Sequence, residues 1–155
     1  QYSLNYSLIE KEIFPFGFSN DFYNKTNISF KNLKEKICNN ESFVAIISSK
    51  NCSACVANEK YYELFEKEFN YDYFYSLEEN DLSTSNEEVQ SFLQDINYAY
   101  KNQKKELKHP SYDEYPTEYF LTPTALRFIN GELKYVYLGF NRNNVNAFYD
   151  FCFEE

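Results

Sequence analysis

Cys52 and Cys55, in the run Cys52-Ser53-Ala54-Cys55, are the residues of this chain best suited to chemistry. Thiols three positions apart in the first turn of a helix can close a small disulfide ring and reopen it by thiolate exchange. A helix N-terminus presents unpaired N–H groups and the positive end of the macrodipole, and both favour a thiolate. The spacing alone leaves three readings: an exchanging redox pair, a structural or vestigial disulfide, and half of a zinc site. Zinc wants four ligands, and Cys38, Cys152 and His109 are scattered singly, so no metal site is expected.

The flanking sequence supplies a strand and a helix to hold the pair. Ser42-Phe43-Val44-Ala45-Ile46-Ile47-Ser48 is a short continuous apolar run, the pattern of a central strand covered on both faces. Ser49-Lys50-Asn51 is the loop after it, and Cys52 opens a helix that ends near Asn70. Before this unit, Ser29 is a suitable N-cap for a helix to about Asn39, with Phe30, Leu33 and Ile37 at helical spacing. After it, Tyr71 to Leu77 reads as a strand, and a helix starts at Asn86-Glu87-Glu88 with Val89, Phe92, Leu93, Ile96 and Tyr100 on one face.

A polar loop runs from His109-Pro110 through Pro116, and Thr122-Pro123 follows. Two strands, 124–129 and 133–138, flank Asn130-Gly131, the strongest short hairpin signal. A last helix is expected over about 143–153. The order αβαβα, loop, ββα predicts an α/β protein: a central mixed sheet, its first two strands parallel through a helical crossover, with helices on both faces.

Length and composition set the bounds. A chain of 155 residues can bury a core without disulfide staples, so one domain over 1–155 is expected. Residues 1–28, broken by Pro15 and Gly17, read as an N-terminal extension packed on a core of 29–153. The formal net charge of −9 argues against nucleic acid as a partner, because a phosphate backbone calls for a basic patch. The basic stretch Lys101–Lys108 contains Glu106 and reads as a solvated helix end. No apolar run is long enough for a membrane span. The aromatic and Asn-rich bias reads as the signature of an AT-rich genome. The chain starts at Gln1 and contains no Met, so a removed leader is expected, and with it an extracytoplasmic, exported or anchored protein rather than a cytoplasmic one.

Taken together, strand 43–48, Cys52-Ser53-Ala54-Cys55 at a helix start, Thr122-Pro123-Thr124 and the hairpin about Asn130-Gly131 resemble the thioredoxin superfamily in kind and order, over roughly residues 29–153. The resemblance implies a thioredoxin fold and thiol–disulfide exchange with protein or peptide substrates and a redox partner, in a monomer without cofactor. Cys52 would be the attacking thiolate and Cys55 the more buried resolving thiol. Pro123 would be cis and shape the substrate groove, and the backbone of Thr122 would pair with a substrate strand. Ser53 and Ala54 would complete the substrate-binding surface.

The chain departs from thioredoxin itself. Asn51 stands where Trp is usual, Ala54 where Pro is usual, and Ile46 where the buried acid is expected. Proton removal from Cys55 would then fall to water or to another group such as Glu59, one helical turn on. The stretch from Cys55 to Pro123 is also enlarged. These features are closer to the divergent, often extracytoplasmic thioredoxin-like proteins of low-GC bacteria, including the bacteriocin-accessory group.

A rival reading from another class is a non-enzymatic module that uses the groove beside Pro123 to hold a peptide or partner. Cys38 and Cys152 are expected as buried free thiols, on opposite faces of the sheet. His109 reads as a solvated loop residue, and Tyr112, Tyr115 and Tyr119 as surface packing.

Overall fold

The computed structural model describes residues 25–69, 73–138 and 145–153. The expected extension over 1–28 therefore falls almost wholly outside the described residues, as do the expected starts of the second strand and the last helix.

Helix α1 is Phe30–Cys38, and Ser29 caps it by accepting the Asn32 N–H at 3.0 Å. Strand β1 is Phe43–Ser48, with every residue buried, as a run without polar alternation requires. Helix α2 is Ser53–Phe69, β2 is Phe74–Glu78, and α3 is Glu87–Asn102. The Asn86 carboxamide caps α3 by accepting the N–H groups of Glu88 and Val89. Strands β3, Thr124–Ile129, and β4, Glu132–Tyr137, precede the final helix α4, Val145–Phe153.

The described strands form one mixed sheet in the order β2-β1-β3-β4. β1 pairs parallel with β2 across the α2 crossover, and antiparallel with β3. β3 and β4 form the expected hairpin, with a register shift between Arg127 and Phe128. Asn130 and Gly131 turn it with φ of 51° and 78°, the double positive φ that a two-residue hairpin turn demands. The Gly131 N–H also donates to the Glu41 carbonyl at 2.8 Å, tying the turn to the segment after α1.

Alternation along the strands sorts the side chains into two layers. Phe43, Ala45, Ile47, Leu77, Leu126, Phe128 and Val136 pack with α1 and α3 through Leu33, Phe92, Leu93 and Ile96. The other face carries α2 and α4, where Tyr62 meets Phe148 and Phe148 meets Tyr137. Helices therefore cover both sheet faces. Short pieces cover the two sheet edges. Asn27 bridges to Ser76 on β2, and the Gln103 carboxamide pairs with both backbone groups of Val136 on β4, each at 2.9 Å.

Three expectations need correction. Tyr73, expected inside the second strand, is a bend just before Phe74–Glu78, while Tyr71 and Asp72 lie outside the described residues. Cys38 is exposed, not buried. Five residues at about 100° each carry it roughly 140° around α1 from Leu33, the residue that faces the core, and so onto the solvent side. Tyr115 is fully buried, not surface packing, whereas Tyr112 and Tyr119 are exposed. The basic stretch also differs in part: Lys101, Lys104 and Lys105 face solvent, but Gln103 among them is buried against β4. Among the described residues no helix is long and apolar enough to cross a membrane.

Candidate functional site

β1 delivers the chain to the cysteine pair through a three-residue loop held at several points. The Lys50 N–H donates to the Glu78 carboxylate at 3.1 Å, so the end of β2 anchors the loop beside it. The Cys52 N–H donates to the Ser49 carbonyl at 3.1 Å. The Cys52 carbonyl then accepts from the Val56 N–H at 3.2 Å, the first bond of α2. Cys52 thus occupies the cap position, just before the helix, and Cys55 is the third residue inside.

Cys52 and Cys55 form a disulfide, with Cα atoms 5.2 Å apart. The Cys55 N–H donates to the Cys52 sulfur at 3.1 Å. This is the position at which a capping Ser or Asp accepts from the third N–H of a helix, so sulfur here takes the place of a capping oxygen. After reduction the same N–H and the helix dipole would face a thiolate on Cys52.

Exposure separates the two cysteines. Cys52 is half-buried while Cys55 is fully buried at 0%. Ser53 and Ala54 between them are exposed, and Val56 beyond them is a large apolar side chain left 46% open to solvent. Of the two, only Cys52 keeps any contact with solvent.

The loop before β3 closes the site from the other side. The Thr122–Pro123 peptide is cis, and the Thr122 carbonyl oxygen lies 3.5 Å from the Cys52 sulfur. Thr122 and Pro123 are both half-buried. All six candidate residues, Cys52, Ser53, Ala54, Cys55, Thr122 and Pro123, therefore meet at one place, although 70 positions separate Cys52 from Thr122.

Ile46 is fully buried on β1, and Glu59 is buried one turn along α2 from Cys55. Residues four apart share a helix face, with Cβ atoms about 5–6 Å apart, which puts the Glu59 carboxyl group on the side of α2 that carries Cys55.

The remaining candidates lie apart from this place. Cys152 is fully buried in α4, and burial pushes its thiol well above the ordinary range while nearby Arg127 opposes the shift. His109 is half-buried, accepts the Ser111 N–H at Nδ1 at 3.0 Å and rests its ring near Tyr112. It shapes its loop and does not join the cysteines. Among the described residues no group of three or more His, Cys, Asp or Glu side chains is arranged to hold a metal ion.

Sequence reasoning missed Glu78, which holds the loop before Cys52, and the structural part of Tyr115 beside Thr122. Neither carries a local signal, since each acts on a segment distant in sequence. Against known proteins, the chain matches no family model and no curated sequence.

Proposed function

We propose that the chain is a thiol–disulfide oxidoreductase with a thioredoxin-like fold, acting on protein or peptide substrates. One observation carries this reading. A disulfide at a helix start joins a half-buried cysteine to a fully buried one, and the sulfur of the half-buried one lies beside the carbonyl that precedes Pro123. A purely structural disulfide gains nothing from presenting one cysteine to solvent at a helix N-terminus. An exchange site requires it.

The reduced pair would act in two balanced steps. The Cys52 thiolate attacks one sulfur of a substrate disulfide; the substrate S–S bond breaks, and the departing sulfur takes up a proton. Cys55 then loses its proton and attacks the Cys52 sulfur, closing the intramolecular disulfide and releasing the second substrate thiol. Two electrons pass from the dithiol to the substrate, and the reverse sequence oxidises a substrate dithiol. With Ile46 in place of the expected acid, the Cys55 proton would pass to water or to a neighbouring group such as Glu59. The exposed Ser53-Ala54 segment and the Thr122-Pro123 turn would flank an extended substrate, whose backbone pairs at Thr122.

The Cys55→Ala variant tests this mechanism. Without the resolving thiol, a mixed disulfide between Cys52 and a peptide substrate should persist and appear as an adduct in intact-mass spectra. If no adduct forms and reduced Cys52 alkylates no faster than exposed Cys38 at mildly acidic pH, the pair is not an exchange site. The binding-module reading then takes its place.

A further inference from the structure

The Tyr115 hydroxyl is buried where two ends of one short turn meet. It accepts the Leu121 N–H at 2.9 Å and lies 2.9 Å from the Thr124 hydroxyl oxygen. The Thr124 hydroxyl donates to the Leu121 carbonyl at 2.6 Å. That bond uses the single hydroxyl hydrogen of Thr124, which leaves its oxygen as an acceptor 2.9 Å from the Tyr115 O–H, with the Leu121 carbonyl a second and longer acceptor at 3.4 Å. A closed ring results, from Leu121 N–H to Tyr115, from Tyr115 to Thr124, and from Thr124 back to the Leu121 carbonyl. Leu121 and Thr124 bracket Thr122 and Pro123, so one buried hydroxyl pair holds both ends of the turn that faces Cys52.

Tyr115 is itself held from behind by α3. The Asn97 carboxamide donates to the Tyr115 carbonyl at 2.6 Å, and the Tyr100 ring meets the Tyr115 ring edge-on at 6.3 Å. Tyr100 also fastens the loop leading to Tyr115, donating to the Tyr112 carbonyl at 2.6 Å and accepting the His109 N–H at 2.9 Å. The path from a core helix to the Thr122-Pro123 turn is thus continuous, with Tyr100, Tyr115 and Thr124 fully buried along it.

We propose that Tyr115 is a positioning residue that presets the Thr122-Pro123 turn for substrate binding beside Cys52. The proposal rests on the exchange reading given above. Removing the hydroxyl leaves the Leu121 N–H without its partner and frees both ends of the turn, while the ring continues to fill its place. The cost falls on substrates that use the turn, because order once built into the protein must then be supplied on binding. A small disulfide that only touches sulfur has no use for that order.

The test compares the full-length wild type with Tyr115→Phe on an oxidised peptide disulfide and on 2-hydroxyethyl disulfide. The KM for the peptide should rise about three- to tenfold, the range that one lost hydrogen bond commands, with kcat within about twofold. The rate with 2-hydroxyethyl disulfide should stay within about twofold. Equal losses on both substrates, or no loss on either, would overturn the proposal. Thr124→Val breaks the same ring from its other side and should reproduce the selective rise even if Tyr115→Phe folds poorly. Should the wild type reduce neither disulfide and, once oxidised, fail to oxidise the reduced peptide, the exchange reading fails on its own account. Amide hydrogen exchange at Leu121 then decides whether Tyr115 holds the turn: faster exchange in Tyr115→Phe supports that role, and unchanged exchange refutes it.

Discussion

Gln103 follows the last turn of α3 and lays its carboxamide along the outer edge of β4, as a neighbouring strand would. It accepts the Val136 N–H and donates to the Val136 carbonyl, both at 2.9 Å, and donates to the Leu107 carbonyl at 3.1 Å. The residue is only 9% exposed, so water cannot readily replace these bonds. Gln103→Leu retains most of the volume and removes all three. Each bond is worth about 1 kcal/mol net, and buried groups left without partners raise the total. New apolar burial returns about 1 kcal/mol. The expected loss is therefore about 2–4 kcal/mol, or roughly 6–12 °C in melting temperature for a chain of this size. Urea unfolding followed by far-UV circular dichroism measures the loss, and hydrogen exchange at the Val136 amide shows where it arises. The uncovered edge should also make the variant more prone to self-association. A loss below about 0.5 kcal/mol, with the Val136 amide still protected, would refute the assignment of Gln103 as the edge cover.

In the reduced protein, Cys38 and Cys52 should alkylate within minutes under native conditions, while Cys55 and Cys152, both fully buried, should resist until the chain opens. Peptide mapping by mass spectrometry reads the order, and early labelling of Cys55 would contradict the burial. Gly131→Ala should destabilise the fold by about 1–3 kcal/mol in urea unfolding, because φ is +78° there and an added Cβ would strike the Ile37 carbonyl. A neutral result would mean that the turn can relax. Stability should be intact below pH 10 and fall between pH 10 and 12. Burial pushes the Tyr115 phenol up to about 12 from an ordinary value of 10.0, so the unfolded chain releases this proton first. The slope approaches about 1.4 kcal/mol per pH unit for each such group, and Tyr137, also raised by burial, acts in the same direction. Urea midpoints at pH 9, 10 and 11 check the sign, Tyr115→Phe should flatten the fall, and a level profile would contradict it.

Much of the frame was legible because its signals are local. Ser29 and Asn86 announce helices through short side chains that cap them, and Asn130-Gly131 announces a turn through its tolerance of positive φ. Strand β1 shows itself as an unbroken apolar run, since both of its faces are covered. The cysteine pair was legible for the same reason, as residues at the junction of such a strand with a helix. Cys38 was misjudged because apolar neighbours in sequence do not share its direction around α1. Tyr115 and Gln103 were illegible for a deeper reason. Their worth lies in hydrogen bonds made after the chain has folded, and Gln103 meets Val136 across 33 positions. A buried Tyr in a polar, proline-bounded loop reads the same as an exposed one until its partners are known.

A single-turnover experiment tests the central claim most directly. The protein is reduced, freed of reductant and mixed with an equal amount of a peptide disulfide, and the thiol state of both is followed by acid quench and intact mass. The account predicts that each peptide disulfide reduced is matched by one new Cys52–Cys55 disulfide, and that Cys52→Ser abolishes the reaction. A peptide disulfide that stays oxidised with the reduced protein, together with a peptide dithiol that stays reduced with the oxidised protein, at every pH from 6 to 9, would contradict it.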